Sequence, residues 1–122
     1  MMKKTIACAT LLACLAAGSA GATCIYPRAP EHIPDGKTAT YDEMVTAQQA
    51  VKLFDTDVTA YNACLDMEMA SYEQSGQFDA TRLLELRDIQ AKKNNAAVDE
   101  VQSVVDQFNE QLRVFSARNK KD

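Results

Sequence analysis

From Thr40 to about Tyr72 the chain contains neither glycine nor proline, and its apolar residues return every seven positions: Met44, Val51, Val58, Leu65 and Tyr72. Ala47, Phe54 and Tyr61 stand three residues after the first three of these. Such a seam lies along one side of an α-helix and commits that helix to lengthwise packing against another. Glu68 interrupts it, taking a position where an apolar residue belongs. Thr40-Tyr41-Asp42-Glu43 has the form of a capping box, which places the start of the helix.

Ser75-Gly76 gives a turn signal within 73–79, and Asp79 is a natural cap for a second helix. A second stretch, Ala80 to about Arg118, again lacks glycine and proline. Its C-terminal half carries a stripe of Val98, Val101, Val105, Phe108, Leu112 and Phe115; its N-terminal half has Leu83, Leu84, Leu86 and Ile89. Between them Lys92-Lys93-Asn94-Asn95 is polar all round, and the stripe changes phase across it as at a stutter in a continuous helix. Asn94 and Asn95 are either buried amides that set register or plain surface residues. The expected fold is all-α: an antiparallel two-helix hairpin with helices at about 41–72 and 80–118 and a polar tail at 119–122. A hinge at residue 76 pairs positions whose numbers add to about 153, if the helices stay in step.

A two-helix layer buries only one stripe of each helix, so a third element has to cover the groove. Residues 23–39 fit that task. They hold all three prolines, Pro27, Pro30 and Pro34, and no helical period. Sixteen steps from Cys24 to Thr40 stretch to about 50 Å in a polyproline-like chain. Cys64 lies about 36 Å along the first helix, so the segment reaches it when doubled back. The reading is an extended strap with Ile25, Tyr26 and Ile33 as candidates for the groove, closed by a Cys24–Cys64 disulfide.

The compartment supports that bond. Lys3 and Lys4, the uncharged run to Ala17 and the small residues before Ala20-x-Ala22 read as a cleaved signal peptide over 1–22. Leu11-Leu12-Ala13-Cys14 offers the rival reading, a lipoprotein anchored through Cys14. On either route the folded domain keeps only Cys24 and Cys64, an even pair of the kind oxidised outside the cytoplasm. No later apolar run reaches the roughly 20 residues of a membrane span. Loss of Lys3 and Lys4 leaves eleven basic against 17 acidic side chains, which disfavours nucleic acid as a partner.

The chemistry-bearing residues are sparse. His32 is the single histidine and has no convergent partners for catalysis or metal ligation. Asp55-Thr56-Asp57 has the opening acids of a calcium loop without its glycine. Met67 and Met69 are two apart and cannot share a helix face. Glu68 either accepts a hydrogen bond from the strap or from Arg87, or lies in solvent. Tyr61 and Cys64 share a face, so the ring is expected against the strap.

Pro34-Asp35-Gly36, Glu43-Met44, Tyr61-x-x-Cys64 and Phe108-Asn109 resemble a group of short secreted proteobacterial proteins without an assigned activity. The resemblance implies an exported, disulfide-strapped helical domain and no catalytic residue. The expectation is a non-enzymatic interaction or scaffold module of the cell envelope, periplasmic or secreted, without a cofactor, that binds a protein partner or a second copy of itself. Residues 86–97 are the candidate contact, through Leu86, Ile89, Lys93 and Ala97. The alternative is a small-ligand or metal binder that uses acidic residues and methionines near Cys64.

Overall fold

The structure, a computed structural model, describes residues 23–120. The signal peptide expected at 1–22, with Cys8 and Cys14, and the last two residues of the tail lie outside the described residues. The rest is a helical hairpin with an extended N-terminal strap: α1 spans Tyr41–Ser75 and α2 spans Ala80–Asn119. No strand occurs among the described residues.

The capping box forms as the sequence predicts. The Glu43 amide donates to Thr40 Oγ1 at 3.2 Å, and the Thr40 amide donates to Glu43 Oε2 at 2.7 Å. α1 runs three residues past Tyr72 and stops where Gly76 takes a left-handed backbone, φ 65°, which costs little without a Cβ. Asp79 caps α2 by accepting the Arg82 amide at 2.8 Å. α2 then continues unbroken through Lys92–Asn95, so the phase change is a stutter and not a break.

On α1 the seam is buried from Met44 through Ala47, Val51, Phe54, Val58 and Tyr61 to Leu65. It then steps by four to Met69, so Glu68 never has to enter the core. The α2 stripe is corrected. Ala97, Val104, Phe108 and Phe115 are buried, with Val101 and Val105 packed on them, while Val98 is 53% exposed and Leu112 36%. Residues 97, 104 and 111 adjoin 98, 105 and 112 on the helix, and the strap lies on the first flank. Covering that flank leaves its neighbour open.

The register also differs from the expected one. Gln90 reaches Asp66 at 2.5 Å and Arg87 reaches Glu73 at 2.6 Å. A hinge at 76 would set residues 87 and 80 in those places. The longer α1 and the four-residue link Gly76–Asp79 move each α2 partner towards the C-terminus, and the long side chains of Arg87 and Gln90 span the remainder.

The strap runs back along α1 from Cys64 to Thr40. Cys24 and Cys64 are bonded, with Cα atoms 5.7 Å apart. Cys24, Ala29 and Ile33 pack against the core. Ile25, expected in the groove, is 85% exposed, because an extended chain with Cys24 turned inward turns the next side chain out. Tyr26 lies between: its ring meets Tyr61 edge-on at 5.2 Å and its hydroxyl donates to Glu100 of α2. Loss of water around that hydroxyl, then the bond to Glu100, push the tyrosine up to about 12.

The strap's last turn is fixed to α2. Asp35 accepts the amides of Lys37, Thr38 and Ala39, the first through its side chain. Gly36 donates to Gln111 Oε1 at 2.9 Å. A Cβ on Gly36 would collide with the Gln111 carbonyl and stand 2.8 Å from the Phe115 nitrogen. Arg118 donates to the Lys37 carbonyl at 2.6 Å and to the Ala39 carbonyl at 2.7 Å, with its guanidinium 5.0 Å from the Phe115 ring centre.

Candidate functional site

Among the described residues, the strap fills the groove between α1 and α2 as far as Cys24. Towards the hairpin tip no other described residue covers the same groove, which continues as a cleft of about 140 Å³. Leu65 and Met69 of α1 and Leu86 and Ile89 of α2 supply its apolar lining; Glu68, Tyr72, Gln90 and Lys93 supply the polar groups. The cleft exists because the seam on α1 shifts to Met69 while α2 passes through its stutter. The two apolar stripes therefore meet less closely here than around Phe54.

Glu68 is half-buried in this cleft. Neither strap nor Arg87 reaches it, contrary to the first of the sequence expectations, and it is not free in solvent either. It accepts the Tyr72 hydroxyl, one turn away on its own helix, at 3.0 Å. That bond, followed by partial burial, raises the pKa of Tyr72. Arg87 instead pairs with Glu73. Neither Glu68 nor Lys93 forms an ion pair within 4 Å among the described residues, so the cleft is lined by one carboxylate and one ammonium that do not touch.

Of the four expected contact residues, Leu86, Ile89 and Lys93 come together here, with Ile89 43% exposed. Ala97 does not. It is 0% exposed and belongs to the core. Its seven-residue spacing from Val104 carried that signal.

The other candidates stay apart. His32 is exposed on the strap, and Asp55 and Asp57 are exposed on α1. Met67 faces solvent and Met69 the core, as their spacing requires. Among the described residues no three His, Cys, Asp or Glu side chains cluster closely enough to hold a metal ion. None of the helices among these residues is long and apolar enough to cross a membrane. Gln111 and Arg118 were missed in the sequence, because only the fold brings them to the strap. No family model, curated protein or solved structure matches the chain.

Proposed function

We propose that this is an exported interaction module of the cell envelope that engages a partner protein through the tip cleft. The observation that carries the reading is the cleft beyond the disulfide: among the described residues, the groove is filled by the strap on one side of Cys24 and open on the other. Leu86 and Ile89 give an apolar floor, and Glu68 and Lys93 give one charge of each sign. The complementary partner is an apolar peptide segment flanked by a base and an acid, laid along the groove as a continuation of the strap. The cleft is smaller than the 300–1,000 Å³ typical of small-molecule sites, which favours a segment over a drug-sized ligand.

A non-enzymatic role, periplasmic or secreted, with the resemblance to short secreted proteobacterial proteins, belongs to this reading, as does a disulfide that needs an oxidising compartment. Lipid attachment at Cys14 would tether the same module to a membrane. Self-association as a homodimer belongs to the same reading as a second mode of contact.

A photo-crosslinking residue placed at Ile89 in cells tests the proposal. One discrete adduct is expected, absent when Lys93→Glu reverses the charge beside it, and absent from a crosslinker at Ser103 on the outer side of α2. Equal adducts from both positions would overturn it.

A further inference from the structure

The two halves of the strap are held in different ways. Pro34, Gly36 and Ala39 are buried, and their turn is bound to α2 through Gln111 and Arg118. No residue from 23 to 33 is fully buried. Among the described residues, the backbone of 23–34 makes no hydrogen bond to the backbone of either helix. The Tyr26–Glu100 bond, the Tyr26–Tyr61 ring contact and the partial packing of Ala29 and Ile33 hold this half to the hairpin. Ordering an extended segment costs backbone freedom at every residue, and contacts this few offset it only while Cys24 is bonded to Cys64.

At the levels of this half the seam of α1 consists of Phe54, Val58 and Tyr61, and it runs on into Leu65, where the lining of the tip cleft begins. Lifting 24–33 therefore joins the covered stretch of groove to the open one. Both cysteines are partly exposed, and Cys64 precedes Leu65 in α1, so an incoming thiol has an approach along the cleft.

Resting on the reading of the tip cleft as a partner site, we propose that residues 24–33 are a lid, hinged at Pro34–Gly36 and latched by the Cys24–Cys64 disulfide, which a dithiol reductant opens to lengthen that cleft. One thiolate of the reductant attacks either sulfur of the pair, forming a mixed disulfide and releasing the other sulfur as a thiolate that takes up a proton. The second thiol of the reductant then displaces the bound sulfur and closes its own disulfide. Two electrons and two protons pass to this chain, which is left with two thiols. The hinge has no part in the exchange, because its hydrogen bonds to Gln111 and Arg118 do not involve sulfur. The strap itself shows what the opened stretch accepts: an extended segment with small or branched apolar side chains at the places of Ala29 and Ile33.

Treating the oxidised chain from Thr23 onward with dithiothreitol in native buffer tests this, with Nile red as the probe of exposed apolar surface and far-ultraviolet circular dichroism as the probe of the helices. Both thiols should become open to alkylation and Nile red emission should rise several-fold while helicity holds. Reoxidation should return the emission to its starting level. Cys24→Ser combined with Cys64→Ser should give the high emission without reductant. A disulfide that resists dithiothreitol until the helices are unfolded would overturn the proposal, as would reduction without a Nile red response or a response that comes only with loss of helicity. None of these readouts needs a partner. A discrete adduct at Ile89 beside a silent dye would therefore overturn the lid and keep the cleft as a partner site, and a reversible dye response without an adduct would keep the lid and overturn the partner site.

Discussion

Gly36 shows how much one missing side chain decides. The strap crosses α2 so closely that an added Cβ meets backbone atoms of Gln111 and Phe115, and a helix backbone cannot move aside as a side-chain tip does. Gly36→Ala should therefore lift the strap's last turn and break the Gly36–Gln111 bond, at a cost of about 1–3 kcal/mol by analogy with overpacked cores. A thermal melt checks this, and an unaltered midpoint would show that the close approach does not matter. Pro34-Asp35-Gly36 read as a motif in the sequence, but its reason was not visible there. The residues that make glycine necessary lie 75 to 79 positions away.

At the level of elements, both helix starts were legible because capping is local chemistry. Thr40 and Glu43 satisfy each other's amides within four residues, and Asp79 does the same for α2 alone. The Thr40 amide first, and then its hydroxyl, hold the Glu43 carboxyl below its ordinary value of 4.5. A lowered carboxylate pKa contributes stability that is present above the unfolded value and lost as pH falls through the folded one. The melting temperature of the wild type should thus decline on acidification below pH 4.5, with a smaller decline for Glu43→Gln. Parallel curves for the two proteins would remove the capping carboxylate from the acid sensitivity. Helix ends were less legible: α1 extends to Ser75 because Gly76 alone adopts the left-handed cap, whereas Tyr72 merely ends the apolar repeat.

For the whole molecule the disulfide and the C-terminus of α2 hold opposite ends of one strap. Closing a loop of 40 residues stabilises by about 4 kcal/mol in the chain-entropy model. Gln111 and Arg118 hold the other end by hydrogen bonds that do not depend on the cysteines. Replacing both cysteines, Cys24→Ser with Cys64→Ser, should therefore free the strap from its N-terminal side while leaving the helices largely formed. Trypsin should cut after the exposed Arg28 much faster than in the oxidised protein, with far-ultraviolet circular dichroism little changed. Equal cleavage rates would mean that packing of Ala29 and Ile33 holds the strap without the bond.

What the sequence determined by itself was everything that depends on near neighbours or on counting: two long helices, their caps, the seam on α1, and a proline strap long enough to bring Cys24 to Cys64. Hydrophobic period, capping and chain reach act over a few residues or depend on contour length, so a linear reading suffices for them. The tertiary structure decided which flank of each stripe is buried. Ala97 rather than Val98, and Met69 rather than Glu68, went inward because the strap lies on one particular side and the α2 stutter moves the seam. It also decided that, among the described residues, the groove stays open beyond Cys24. Adjacent positions on a helix differ by about 100° in direction, and only a third body packed against the pair says which of two neighbours faces it.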